Sequence, residues 1–129
     1  MYIVYVLELE KKRFYVGMTK KYRSIERILE HLDPECRTTK WTSKYQAKRQ
    51  IYESRVFENK RECELFEHQI TELIMSILGL NCVRGGNYVM SCEKSTWWIP
   101  KRLENTPLFT ELWENSNVVE NVTKLLASF

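Results

Sequence analysis

Hydrophobic and polar positions alternate from residue 2 to residue 9. Ile3, Tyr5, Leu7 and Leu9 fall on one face; Val4, Val6 and Glu8 fall on the other. A period of two predicts a β-strand. A second strand is expected over residues 14–19, with the polar Lys11-Lys12-Arg13 as the turn between them. Two lysines suit poorly the primed two-residue turns, whose central positions need positive φ, so an odd-numbered or bulged loop is expected. Loop parity has a chemical consequence. A three-residue loop of Glu10, Lys11 and Lys12 pairs Tyr15 with Leu7 and puts Tyr5 and Tyr15 on one face, whereas a two-residue loop separates them.

Residues 22–32 carry Ile25, Ile28, Leu29 and Leu32 at i, i+3, i+4 and i+7, the mark of an amphipathic helix. Arg27 and His31 share a flank well off that apolar stripe. Residues 37–50 are basic and aromatic: Lys40, Lys44 and Lys48 recur every four positions, so a helical turn or two would line them up, with Trp41 and Tyr45 interleaved. A third strand is expected over 51–57. A long helix follows over 60–78, with Asn59 as N-cap and Gly79 at its end. Cys63, Phe66, Ile70, Leu73, Ile74 and Ile77 form its buried stripe, Glu67 lies at the edge of the stripe, and Glu64 and His68 point further outward. In the tail, Trp97-Trp98-Ile99-Pro100 reads as extended. Thr106-Pro107 resembles a helix start, with short helices over 108–113 and 118–126.

These elements make an α+β fold: a small three-stranded antiparallel sheet flanked by helices, with a short helical C-terminal extension. Residues 1–90 are expected to form the core and 91–129 the extension, a packing or interaction segment. At 129 residues the chain suits one domain. No apolar run is long enough to span a membrane, and an intracellular protein, cytoplasmic or nuclear, is expected. The four cysteines lack the close pairs typical of a zinc site, so free thiols are the default. Net charge is +3 but uneven: residues 1–61 hold 15 Lys and Arg against 8 Asp and Glu, and the remainder holds 5 against 9. The basic half points to a polyanionic partner.

Taken in order, Ile3-Val4-Tyr5, Tyr15-Val16-Gly17, Arg27-x-x-x-His31 and Glu67 resemble the motif series of the GIY-YIG nuclease superfamily. The resemblance runs from about residue 2 to residue 88. The first motif departs from the family pattern, with Ile3 at the glycine position and Val4 next to it, but its tyrosine is present. Asn81 lies where many members carry an asparagine, and Cys82-Val83-Arg84-Gly85-Gly86 reads as a turn similar to one in several members. The resemblance implies a metal-dependent endonuclease with Tyr5, Tyr15, Arg27, His31 and Glu67 in the catalytic site.

Phosphodiester hydrolysis needs an activated water and stabilised charge on the phosphoryl oxygens and the leaving group. With Glu67 as the convincing acidic ligand, one Mg²⁺ or Mn²⁺ fits better than a metal pair. Arg27 would clamp the phosphate. A tyrosine would take the proton of the attacking water; the resemblance to the family favours Tyr15 as that group or its close partner, with Tyr5 supporting. His31 would assist proton transfer or hold a phosphate, and Gly17 would let backbone and substrate approach closely. Lys40, Lys44, Lys48 and Arg49 read as phosphate contacts, with Trp41 or Tyr45 stacking on a base or sugar. The expected partner is nucleic acid, DNA ahead of RNA. The alternatives are a non-cutting nucleic-acid-binding module on the same fold, or an interaction domain whose tail, with Trp97, Trp98 and Trp113, docks a partner protein or a second copy.

Overall fold

The computed structural model describes residues 1–36, 39–86, 88, 103 and 105–129; the expectations for Trp97 to Pro100 lie outside them. Strands β1 (Tyr2–Leu9) and β2 (Phe14–Lys20) form an antiparallel hairpin that pairs Tyr5 with Gly17 and Leu7 with Tyr15. The loop has the three-residue length, Glu10–Lys12, and both lysines take left-handed backbone, with φ of 56° and 58°. Tyr5 and Tyr15 therefore share a face.

A turn at Lys21–Arg23 leads into α1 (Ser24–Leu32). After a single helical turn, α2 (Lys40–Lys44), the chain enters β3 (Ala47–Glu53), which pairs with the other side of β1. The third strand thus begins earlier than the expected 51–57, and Lys48 lies on a strand, out of line with Lys40 and Lys44. Two contacts draw the segment straight. The Gln46 amide donates to the carbonyls of His31 and Leu32, and the Gln46 backbone N–H donates to Glu10 Oε1 at 2.8 Å. The ladder ends where Ser54 Oγ accepts the Val4 N–H; Phe57 then bridges Tyr2.

Helix α3 (Lys60–Leu78) has the expected bounds, with the Asn59 side chain accepting the N–H groups of Arg61 and Glu62. Beyond Gly79 the chain returns as β4 (Val83–Gly85), parallel to β2. The sheet is therefore four-stranded and mixed, in the order β3-β1-β2-β4, where three antiparallel strands were expected. Two short helices close the chain, α4 (Glu111–Glu114) and α5 (Val118–Leu126). The first starts after Thr110, later than the expected 108.

Each sheet face buries its own cluster. Val4, Val6, Phe14 and Val16 pack against Cys63, Ile70 and Ile74 of α3 and against Val118, Val122 and Leu126 of α5. The extension thus joins the main core. Arg13 helps fasten it: its guanidinium lies 4.8 Å from the Tyr45 ring and 5.0 Å from those of Phe109 and Trp113. Trp113, expected as part of a docking surface, packs against this cation and against Phe109.

On the other face, Tyr5, Leu7 and Leu9 meet Trp41, Tyr45 and Ala47, with Ile28 and Leu32 of α1 against them. Here the expectation for α1 fails. Ser24 and His31 turn inward and are buried, while Ile25 and Leu29 of the apolar stripe are 76% and 60% exposed. The helix lies rotated by about a quarter turn from the apolar-in arrangement.

A Cβ at Gly17 would overlap the ring and hydroxyl of Tyr5, so the glycine of one motif makes room for the tyrosine of the other. Gly17→Ala should displace Tyr5 and destabilise the fold by about 1–3 kcal/mol. Combining it with Tyr5→Leu should give far less than the sum of the two losses in denaturant unfolding. Full additivity would show that the two positions are independent.

Candidate active site

Tyr5 stands on β1, in the middle of the sheet, and its hydroxyl is hydrogen-bonded to His31 Nε2 at 2.8 Å. Tyr15, half-buried on β2, has its ring centroid 5.0 Å from that of His31 and 6.3 Å from that of Tyr5. Arg27 lies one turn before His31 on α1 and forms a 3.0 Å ion pair with Glu30. The rotation of α1 is what brings Arg27 and His31 to the tyrosines.

Burial, then the neighbouring Tyr15, push the Tyr5 hydroxyl well above the ordinary phenol range, against the opposing charge and hydrogen bonding of Arg27. Burial and then the Arg27 charge lower His31 to about 4. His31 is thus neutral near pH 7 and Tyr5 keeps its proton, so the two share a hydrogen bond between uncharged groups. Tyr15 is pushed up to about 12, first by burial and then by the Glu67 carboxylate, with Arg27 opposing.

Glu67 comes from α3, which packs on the opposite face, yet its charge acts on both tyrosines. Its Oε1 accepts the Gly86 N–H at 3.0 Å, just beyond the end of β4. Gly86 has φ of 55° and packs against His68, which a side chain would crowd. A pocket of about 270 Å³ opens here, lined by Met18, Arg61, Glu64, Glu67, His68 and Gly86 among others. Glu64 and His68, expected to point outward, are part of its wall. Burial pushes the Glu67 carboxyl up to about 7; the Gly86 N–H opposes this and Glu64 adds to it.

Glu67 and Glu64 are the residues of this pocket that could contact a hard divalent cation. Glu67 is partly desolvated and gains from a positive charge, Glu64 stands one helical turn away, and the volume accommodates waters. Among the described residues, no three His, Cys, Asp or Glu side chains gather into a metal-ligand cluster.

The other expected residues lie elsewhere. Trp41 is 1% exposed and buried in the core, its Nε1–H on the Phe14 carbonyl and its ring against the Arg84 guanidinium, so it has no face for a base. Tyr45 is buried beside it. Lys40 opens α2 and Lys44 closes it. Lys48 and Arg49 lie on β3, the sheet edge opposite β4, and both pair with Glu8. Asn81 is buried away from the pocket, its Oδ1 accepting from Arg84. Arg61, Glu64 and Met18 were not singled out from the sequence. The spacing of three between residues 61, 64 and 67 on a long helix was the available signal.

Comparison with family models, with curated proteins and with solved structures found no match. The resemblance to GIY-YIG nucleases therefore rests on the motif residues alone.

Because folding raises Glu67 from 4.5 to about 7, the fold favours its protonated form. Stability should decline as pH rises through that window and level off above it. Glu67→Gln retains the acceptor for Gly86 and removes the penalty. In metal-free buffer its melting temperature should exceed wild type by a few degrees at pH 8 and match it at pH 4. An equal offset at both pH values would mean that the carboxylate is not desolvated.

Proposed function

We propose that the chain is a metal-dependent endonuclease that hydrolyses phosphodiester bonds, with DNA as its substrate. One observation carries this reading. Tyr5, Tyr15 and His31 cluster on one sheet face, the Tyr5 hydroxyl 2.8 Å from His31 Nε2 and the three ring centroids 5.0–6.3 Å apart, with Arg27 one turn before His31 on the same helix. To this cation and two hydroxyls we add the Glu67 carboxylate, which borders the pocket beside Gly86. Phosphoryl-transfer catalysis needs such groups, since it rests on positioning and charge stabilisation.

Glu67, with Glu64 beside it, would hold Mg²⁺ or Mn²⁺, which when bound polarises a phosphoryl oxygen and acidifies a water. Arg27 binds the scissile phosphate, its guanidinium matching two phosphate oxygens better than the one Glu30 oxygen it meets at 3.0 Å. Tyr15, once its own hydroxyl proton has passed to solvent, would accept the proton of the attacking water. In the free protein that ionisation is disfavoured, first by burial and then by the Glu67 charge. Once that charge is neutralised, Tyr15 is easier to ionise. Tyr5 is the positioning partner, because its hydroxyl is already committed to His31 and is more deeply buried. His31 stays neutral and fixes both tyrosine rings by contact. A single site of this kind makes a single-strand nick.

With supercoiled plasmid and Mg²⁺, wild type should nick. Glu67→Ala and Arg27→Ala should lose about 100-fold or more, and Tyr15→Phe a similar factor, with binding preserved. Wild-type cutting by Glu67→Ala would reject the metal role. Binding without cutting by wild type would favour the non-cutting module.

A further inference from the structure

We propose that Arg61 is the phosphate contact that leads a nucleic-acid strand into the Glu67 pocket, the task expected of the basic stretch at residues 40–49. This rests on the reading of the site as one that takes nucleic acid, and it names a residue and a path for that substrate. The pocket wall holds two carboxylates, Glu64 and Glu67. By themselves they would repel a polyanion, and a cation at the same wall offsets them.

Arg61 meets that need. It lines the pocket, its side chain is 77% exposed, and its contact with Glu64 is 3.9 Å. Such a long, solvated pair holds the guanidinium weakly, so it can exchange Glu64 for a phosphate with little loss. The alternative cations are differently placed. Arg49 is drawn to 2.6 Å and Lys48 to 3.5 Å from Glu8, whose side chain is only 10% exposed. Moving either away would take one of two cationic partners from a nearly buried carboxylate. Both also stand on β3, across the sheet from β4 and Gly86. Lys21 is engaged with Glu53 at 3.1 Å, on the β3 side as well.

Arg27 on α1 and Arg61 on α3 then supply one cation on each side of the sheet. Arg27 faces the tyrosines and Arg61 faces the carboxylates. Arginine suits both places because its planar fork can take two phosphate oxygens.

The test is binding of a fluorescently labelled DNA duplex in EDTA, by anisotropy across a salt series, alongside plasmid nicking in Mg²⁺. Arg61→Ala should weaken binding roughly 5–10-fold near 0.1 M salt and reduce the salt slope by about one; Arg61→Lys should keep most of the slope. Lys48→Ala/Arg49→Ala should leave the slope unchanged. An unaltered slope for Arg61→Ala in an enzyme that still nicks overturns the Arg61 assignment and leaves the nuclease reading intact. A wild type that binds but does not nick, with weakened Arg61→Ala binding, supports the assignment and rejects the nuclease. A wild type that binds no DNA overturns both.

Discussion

The 2.8 Å hydrogen bond between the Tyr5 hydroxyl and His31 Nε2 joins the middle of the sheet to α1 and determines how that helix lies. Both groups are almost wholly buried, at 1% and 2% exposure. Leaving either unsatisfied would cost about 1–3 kcal/mol, comparable to what burying one more aliphatic side chain returns. The helix therefore presents Ser24, Arg27 and His31 to the sheet, and Ile25 and Leu29 face solvent. Gly17 belongs to the same constraint, since it leaves the space that the Tyr5 ring occupies. Arg27 reaches the tyrosines only because His31 has fixed the rotation.

A second contact completes the site from the other face. The Gly86 N–H holds the Glu67 carboxylate where α3 passes the end of β4. β4 in turn runs beside β2, pairing Arg84 with Tyr15 and Gly85 with Val16. The strand that carries Tyr15 is thus the common reference for both halves. Buried Arg84, stacked on Trp41 and bonded to Asn81, keeps β4 in register from beneath. Trp41, whose pattern suggested nucleic-acid contact, and Asn81, expected in a supporting role, both contact Arg84 of this strand.

Much of this was legible along the chain. Alternation over residues 2–9 was legible, and the odd-numbered loop puts Tyr5 and Tyr15 on one face as expected, although both lysines take the positive φ held against them. The long periodic helix with Asn59 and Gly79 at its ends was readable because capping is local chemistry. Three features were hidden, each for a physical reason. The rotation of α1 was missed because periodicity reveals an apolar stripe but not a competing buried hydrogen bond. β4 has three residues and a distant parallel partner, too little for alternation to register. Lysines every four residues across 40–48 match a helix, but Trp41 seeks the core and Gln46 draws the chain straight, so the period stops after one turn.

The central claim is that a divalent cation sits on Glu67 within the field of Tyr15. Paramagnetic broadening of backbone amide signals by Mn²⁺ tests this most directly. The account predicts strong broadening at Met18, Glu67, His68 and Gly86, little on the strand from Ala47 to Glu53, and loss of the pattern in Glu67→Gln. Broadening centred elsewhere, or unchanged by Glu67→Gln, would contradict it.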